Sequence, residues 1–409
     1  TLTNPPFAKR YSAAEPDGRE VLHQYDLSWY TASDGSRKRR TSLKSNVMFL
    51  ERYYDLLEPE GSLCTIIDES VLNTQSDKEV RRFILERFFV RAVISLPQDA
   101  FIESGSNVKT SILFLTKKRT PSPDQPDTFY ASVENIGYDG KKPTPAKNEL
   151  PKALDAYRTF AQGSKFPTEV KLLWSDKSRF FTHKLTPDTE RFDFEFLDPR
   201  HQEMDKRFQA LAKERGYQVG TLIELCDLFR GKTADLYVSS GVPILKVRNV
   251  RGEGINWADT DFVLREFFEA QAKAHLKPND VLLTSTGLGT IGRVDMLERD
   301  VPCIADGHVT VIRVKDPNRV SSRYLLYYLR SAFGQMQMGR YTVGSTGQTE
   351  LNRDDVRRIK VIFPPTVKSQ EELLQAGYAI EEEALRARAA YREGFSLAKT
   401  RFAEALGLV

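Results

Sequence analysis

Residues 42–67 read SLKSNVMFLERYYDLLEPEGSLCTII, and the change of period inside them sets the fold class. Val47, Leu50, Tyr54 and Leu57 recur at three- and four-residue spacing, which is one face of a helix. Glu58-Pro59-Glu60-Gly61 is a turn, and the β-rich run after it predicts a strand. Further on, KEVRRFILERFF (78–89) predicts a second amphipathic helix and VRAVISL (90–96) a strand. KTSILFL (109–115) predicts another strand, reached through the Gly-Ser loop around Gly105. Helix and strand in this alternation predict an α/β fold with a sheet whose last strand returns antiparallel. Residues 119–150 are rich in Pro, Lys, Asp and Gly and read as loop or meander.

The character changes after Trp174. Residues 190–366 hold short strands and turns, such as GVPILKVRNV (241–250) and NDVLLTSTG (279–287), with modest helices between them. Pro364-Pro365 closes that region, and residues 369–406 contain no proline. Leu373, Gly377, Ile380, Ala384, Ala387, Tyr391, Gly394 and Ala398 recur there at alternating spacings of four and three. That spacing is the seam of a long helix packing along another helix, with small residues that permit close approach. No internal repeat is visible.

Bulk properties narrow the function classes. Apolar residues make up 40% and charged residues 28% of the 409-residue chain, the balance of an ordinary soluble protein of two or three domains. No apolar run approaches the roughly 18 residues that span a bilayer, and no signal-peptide pattern opens the chain. No membrane partner is expected. Cys64, Cys226 and Cys303 stand alone, without a CxxC or a local His. That usage fits a reducing cytoplasm rather than a disulfide framework or a zinc site. The histidines show no ligand spacing, and no metal is assigned. Glu169-Val170-Lys171 has the look of a nuclease carboxylate–lysine pair, but 56 acidic residues produce such pairs by chance, and no nuclease is assigned. Sixty Lys and Arg against those 56 acids give a net charge of +4, which permits a nucleic-acid partner without requiring one. The chain opens on Thr1 rather than Met, as expected of a piece of a longer product.

Near that start stands Asn4-Pro5-Pro6-Phe7. An adenine exocyclic amine is a poor nucleophile because its lone pair is delocalised into the ring. A site that methylates it needs acceptors aimed at the amine hydrogens, which favour a more tetrahedral nitrogen. The Asn4 side-chain oxygen and the Pro5 carbonyl are suited to that task, and the prolines, with restricted φ and no N–H, hold the turn stiff. Phe7 offers a flat face for an extruded base. On the tetrapeptide alone, a Pro-Pro turn at a chain terminus reads equally well.

The context resembles a known family. The segment 46–118 is similar, nearly element by element, to the modification subunits of type I restriction systems and to related N6-adenine DNA methyltransferases of γ-type motif order. The Asn-Pro-Pro-Phe turn is followed by a basic loop and a helix ending in Leu56-Leu57-Glu58-Pro59-Glu60-Gly61. A strand and Asp68-Glu69-Ser70-Val71-Leu72 come next, then ISLPQDAF (94–101) and KTSILFLTK (109–117). NIGYDGKKPTPAKNELPKAL (135–154) is similar to that family's closing segment, so the resemblance covers most of residues 1–165. It implies the C-terminal part of a Rossmann-like methyltransferase sheet, with residues 4–7 catalytic and S-adenosylmethionine giving its methyl group by direct displacement. It also implies Phe101 as a second aromatic near the flipped base, although a core Phe after a strand reads as well. The family's cofactor pocket, a Gly-rich turn after its first strand and an acidic residue after its second, precedes the Asn-Pro-Pro-Phe turn. It is therefore expected mostly outside this chain.

One downstream stretch, TSTGLGTIGRVD (284–295), satisfies G-x-G-x-x-G through Gly287, Gly289 and Gly292. The residues after it are β-branched and broken by Pro302, whereas a dinucleotide turn must open a helix. A Gly-rich connection between strands fits better. The same stretch belongs to a second resemblance, of residues 190–409 to half of a type I restriction specificity subunit: one mixed α/β target-recognition domain plus one spacer helix. RFDFEFLDP (191–199), VGTLIELCDLFRGKT (219–233), GVPILKVRNV, NDVLLTSTGLGTIGRV (279–294), DGHVTVIRV (306–314) and TGQTELNRDDVRRIKVIFPP (346–365) carry it.

Such domains read double-stranded DNA from loops. In Arg230-Gly231-Lys232-Thr233, Gly permits close approach to a phosphate while Lys232 and Thr233 donate. Arg248 and Asn249 carry side chains able to pair with guanine or adenine edges. Ser285, Thr286 and Gln348 add candidate contacts, and each of these positions also reads as a solvated loop. The run Arg37-Lys38-Arg39-Arg40 lies in the loop after the Asn-Pro-Pro-Phe turn, where phosphate contact and plain solvation are both open. The expected organisation is a methyltransferase part at 1–185, a target-recognition domain at 186–366 and a spacer or dimerisation helix at 367–409. The helix is expected to meet a second copy or another restriction-modification subunit. The expected function is site-specific adenine-N6 methylation. The competing reading is a non-catalytic recognition or assembly module of a larger enzyme, of type IIG kind, whose nuclease and cofactor site lie upstream. Other N-methyltransferases, including those acting on protein glutamine, also use an Asn-Pro-Pro turn.

Overall fold

In the computed structural model, residues 1–7, 9–32, 34–139, 142–143, 147–163, 179–287, 289–345 and 349–405 are described. They fall into two compact units. The first comprises Thr1–Arg207 with two later segments, Thr284–Gly292 and Met336–Val356. The second comprises Phe208–Leu283, Arg293–Gln335 and Arg357–Val409.

The first unit opens with β1 (Leu2–Thr3) and β2 (Arg10–Ser12), then α1 (Pro16–His23) and the hairpin β3 (Trp29–Thr31) and β4 (Arg37–Arg39). Next come β5 (Ser42–Lys44), α2 (Ser45–Leu56), β6 (Ser62–Asp68), α3 (Glu69–Asn73), α4 (Lys78–Arg87), β7 (Phe88–Ser95) and β8 (Thr110–Lys117). β9 (Asp127–Ser132), β10 (Tyr138–Asp139), β11 (Lys142–Pro143), α5 (Leu150–Ala161), β12 (Arg179–Lys184), α6 (Phe194–Leu197) and α7 (Arg200–Arg215) complete the run. Six strands form one sheet in the order β1-β6-β8-β7-β9-β12. β1 pairs parallel with β6, and β7 parallel with β9. β8 lies antiparallel between β6 and β7, and β12 is antiparallel to β9. The fold class is thus mixed α/β, and the third strand of the 42–118 stretch does return antiparallel.

Period-two alternation builds both faces of this sheet. Leu63 and Ile67 of β6 and Leu113 and Leu115 of β8 join Val47, Leu50, Val80 and Ile84 of the helices on one face. Ile66, Ile112 and Phe114 join Ala153, Tyr157 and Phe160 of α5 on the other. Burying one such side chain is worth about 1.5–3 kcal/mol. The sheet therefore fixes the positions of its strand ends, and the carboxyl ends of β1, β6, β7 and β9 share one edge.

Two readings are corrected in this unit. Residues 127–132, read within a stretch of loop or meander, are an interior strand, β9, parallel to β7 and buried from Thr128 to Ser132. Its DTFYAS sequence is short and hidden among Pro, Asp and Gly, so only its sheet neighbours identify it. The region between the Asn-Pro-Pro-Phe turn and α2 contains a helix and two strand pairs, and Arg37–Arg39 lies on a strand.

The second unit contains β13 (Gln218–Thr221), α8 (Leu222–Leu225), β14 (Cys226–Arg230), β15 (Val242–Leu245), β16 (Asp261–Val263) and α9 (Arg265–Ala270). β17 (Val281–Thr284), β18 (Val294–Met296), β19 (Ile304–Ala305) and β20 (Val309–Val314) follow. α10 (Ser322–Arg330), α11 (Ala332–Tyr341), α12 (Arg353–Val356), β21 (Lys360–Phe363) and α13 (Val367–Ala405) end the chain's elements, of which α12 and α11 from Met336 onward belong to the first unit. The strands form sheets in the orders β14-β20-β17-β18, β16-β15-β19 and β13-β21. Within residues 190–366 the helices are longer than the sequence reading expects, with α7 reaching 16 residues. The G-x-G-x-x-G stretch connects β17 to β18, which pair antiparallel, and Gly287, Gly289 and Gly292 have φ of 97°, 72° and 84°. It is a strand connection, as its β-branched sequel implies, and it opens no helix.

α13 spans 39 residues. Gln370 ties its first turn down: its amide donates to the Arg319 and Pro364 carbonyls at 2.9 and 3.0 Å, and its oxygen accepts from the Ser321 N–H at 2.9 Å. Beyond that turn the seam faces outward, with Leu373 54% and Ile380 71% exposed. No helix of the described residues is long and apolar enough to cross a membrane.

Candidate functional site

β1 delivers residues 4–7 to the shared sheet edge, with Thr3 registered on Thr65 of β6. The Thr3 hydroxyl meets the Tyr53 hydroxyl of α2 at 2.6 Å and anchors the strand end. Pro5 is buried and Asn4 is exposed, so the turn is rooted at its proline and open at its carboxamide. The Ser45 hydroxyl at the start of α2 donates to the Pro6 carbonyl at 2.8 Å, and the Ser45 N–H donates to the Lys9 carbonyl at 2.9 Å. With the Pro6 carbonyl occupied, the Pro5 carbonyl and the Asn4 side chain are the acceptors left without a partner among the described residues. Phe7 and Phe101 are half-buried, and their rings meet edge to face with centroids 5.6 Å apart. The structure thus brings together the two aromatics that the sequence offers as base-stacking platforms.

The sequence reading misses the polar groups around this edge. Asp68, at the end of β6, caps α3 by accepting from the Ser70 N–H at 2.8 Å. Lys44 lies 3.8 Å from Asp68 and 3.6 Å from Asp77 and also donates to the Ser70 hydroxyl. Glu69 is buried, and its Oε2 accepts from the Ser111 hydroxyl at 2.6 Å. Burial pushes its carboxyl up to about 7, against the opposing pull of Lys109. The signal that finds such groups is positional: they follow the carboxyl ends of parallel strands, where open α/β sheets gather ligands.

The basic run folds as one arm of the β3–β4 hairpin. Arg37 and Arg39 lie over the Trp29 ring at 5.1 and 4.5 Å, and Arg40 lies over Tyr30 at 5.7 Å. Arg39 also contacts the His23 Nε2 at 2.7 Å. Cation–π stacking orders Arg37 and Arg39 over one ring and Arg40 over the next, and Arg40 also donates to the Ser76 carbonyl at 2.9 Å. Lys38 is exposed beside Asp34, at 3.0 Å.

Among the candidates in the second half, Lys232 and Thr233 are exposed. Gly231 is needed for packing, because a Cβ there would stand 2.0 Å from the Ala305 carbonyl oxygen. Arg248 is held by Asp261 at 2.5 Å and donates from Nε to the Asp259 carbonyl at 2.9 Å, while its side chain stays 47% exposed. Asn249 is fully buried, accepting from the Lys246 N–H and donating to the Asn256 carbonyl, each at 2.8 Å. It closes a turn and cannot reach a base edge. Ser285 is likewise fully buried, whereas Thr286 is half-buried. Gln348 lies outside the described residues.

Residues 1–177 match the family described as N-6 DNA Methylase. Residues 214–376 match the type I restriction modification DNA specificity domain. The chain joins an N-6 DNA methylase segment to a type I specificity domain. The methylase subunit of the type I restriction enzyme MpnII of Mycoplasma pneumoniae is 25% identical over 201 residues, 46% of this chain and 36% of that protein. The chain therefore matches about a third of the length of that curated relative. Among solved structures, the type IIG restriction endonuclease BpuSI is similar over 84% of this chain and 44% of its own, at 12% identity and a TM-score of 0.37. A type I S subunit from M. genitalium is similar over 46% of this chain and 45% of its own, at 16% identity and a TM-score of 0.34.

The methylase segment supplies two unpartnered acceptors and an aromatic pair at one sheet edge. The specificity domain supplies exposed donors at Lys232, Thr233 and Arg248.

Proposed function

We propose that the methylase segment is the base-accepting side of a DNA adenine-N6 methyltransferase and that the specificity domain selects the site on double-stranded DNA. The observation that carries this reading is the Asn4 carboxamide, exposed and unpartnered on a turn rooted by buried Pro5. An adenine amine in that position donates one hydrogen to the Asn4 oxygen and the other to the Pro5 carbonyl. Both bonds draw the nitrogen lone pair out of conjugation with the ring. They strengthen as positive charge develops on nitrogen, which is differential stabilisation of the transition state. Phe7 and Phe101 offer π-faces that replace the stacking lost on extrusion.

S-adenosylmethionine is the donor this reading implies, supplying an electrophilic methyl group, and its pocket is proposed to lie mostly outside the residues of this chain. Residues 1–185 are assigned to methyl transfer, 186–366 to recognition, and 367–409 to contact with a second copy or another restriction-modification subunit. A reducing cytoplasm is the proposed compartment: the Cys226 and Cys303 thiols are buried, and burial pushes both up to about 12.

The test is Asn4→Ala in the intact gene product, assayed with labelled S-adenosylmethionine and its target duplex. Methyl transfer should fall by about a hundredfold or more, in the range set by losing one oriented donor or acceptor, with DNA affinity unchanged. Full activity in the variant would sink the role of Asn4. DNA binding by the wild-type protein without any methyl transfer would favour the recognition-module reading.

A further inference from the structure

The first compact unit is not made from the methylase segment alone. Residues 342–345, from the specificity-domain sequence, lie along the same sheet edge as the Asn-Pro-Pro-Phe turn and are held there by four separate groups. Asn73, the last residue of α3, forms a reciprocal pair with Gly344: its amide donates to the Gly344 carbonyl at 3.3 Å, and its oxygen accepts from the Gly344 N–H at 3.1 Å. The Lys109 N–H donates to the Ser345 carbonyl at 2.5 Å, and Gln98 Nε2 approaches the same oxygen at 3.4 Å. Arg191, itself paired with Asp193 at 2.7 Å, donates to the Thr342 carbonyl at 2.9 Å. Gly344 has a φ of 99°, a conformation that a side chain would strain.

This segment continues into a small ladder. Val343 exchanges both backbone hydrogen bonds with Glu350, at 2.8 and 2.9 Å, and Glu350 bridges to Thr286. Thr286 therefore lies two bridges from Val343, beside the residue that Asn73 pins. On the other side, Gln98 stands three residues before Phe101 in the loop after β7. Hydrogen bonds, joined by the short chain stretches 343–345 and 98–101, thus connect a candidate DNA-contacting loop to the wall of the candidate base pocket. That is a contiguous physical network of the kind that transmits position.

We propose that residues 342–345 are a positioning strap that sets the Phe101 side of the base pocket when the specificity domain engages its site, with Asn73 as the pin. The proposal rests on the methyltransferase reading above. Asn73 is a positioning residue, acting through the strap and the 96–101 loop rather than on the base.

The experiment uses the intact gene product and its target duplex, found by mapping N6-methyladenine in DNA from cells that express it. Emission is read on a duplex whose target adenine is replaced by 2-aminopurine, which brightens on extrusion, and kcat on the unmodified adenine duplex, which keeps the amine that accepts the methyl group. Asn73→Ala and Gly344→Ala should each lower both the emission rise and kcat by about tenfold or more, the scale of a small misplacement at a reacting centre. DNA affinity should stay within twofold, and the double variant should be no worse than the worse single variant, because both break the same pairing. Gln98→Ala, at a half-buried position, should give a smaller loss in the same direction, and it serves if Asn73→Ala fails to fold. Full emission and kcat in Gly344→Ala and Gln98→Ala would overturn the strap alone. A wild-type protein that binds the duplex with no emission rise and no methyl transfer would overturn the strap together with the methyltransferase reading.

Discussion

Glu69 is buried at the end of β6, with the Ser111 hydroxyl on its Oε2. Burial favours its proton-bound form and pushes the carboxyl up to about 7, so the folded protein keeps a proton that the unfolded chain has already released. The stability contributed by that difference is fully present below the ordinary glutamate range and is lost as pH rises to about 7. Glu69→Gln should therefore flatten the fall in melting temperature between about pH 4.5 and 7, by on the order of a few degrees. An unchanged slope in thermal melts across that window would contradict the assignment. Phe101 gives a prediction of a different kind. Phe101→Ala should lower methyl transfer by about tenfold or more, because base–aromatic stacking is worth about 1–3 kcal/mol, and should leave DNA affinity nearly unchanged in a binding titration. At this scale the sequence singles out residues 4–7 and Phe101 by residue type, and the structure sets Phe7 and Phe101 ring to ring. The site was not legible where tertiary burial decides: Asn249 has the composition of a base reader and spends its amide on a turn.

Elements carry a second class of outcome. Asp295, on β18, is fully buried and accepts from the N–H groups of Arg251, Gly252 and Gly254 at 2.6, 3.0 and 2.8 Å. Arg330 completes the set at 2.6 Å. One carboxylate thus holds the 251–254 turn and the end of α10 against the same strand. Asp295→Ala should destabilise the second unit by about 3 kcal/mol, because the half-buried Arg330 loses its counter-charge and three backbone N–H groups lose their acceptor, and urea unfolding would measure it. A loss under 1 kcal/mol would mean that water takes over the role. The helices α2, α4 and α13 were legible from period, and the strands β6, β7 and β8 from β-rich runs bounded by turns. β9 was not, because its six residues carry no two-fold alternation: both of its faces are covered, so polarity never alternates along it. The β3–β4 hairpin was hidden for the opposite reason, with charged residues on a strand whose aromatic partner lies elsewhere in the sequence.

For the whole molecule, the row of guanidinium groups on Trp29 and Tyr30 is the ordered positive feature of the first unit, in a chain whose net charge is only +4. Replacing Arg37, Arg39 and Arg40 together by Ala should reduce the slope of log affinity against log salt by about 2–3, one counterion for each phosphate no longer neutralised. The loss should be similar for target and non-target duplexes. An unchanged slope in fluorescence-anisotropy titrations would show that the hairpin faces away from the DNA. The make-up of the first unit has an engineering consequence as well. Thr284–Gly292 and Met336–Val356 belong to it although they lie far along the sequence. A chimera that exchanges residues 186–366 as one cassette would import three foreign pieces, 186–207, 284–292 and 336–356, into the recipient's first unit. Grafts that keep those three stretches native, and swap only residues of the second unit, should yield working hybrids more often.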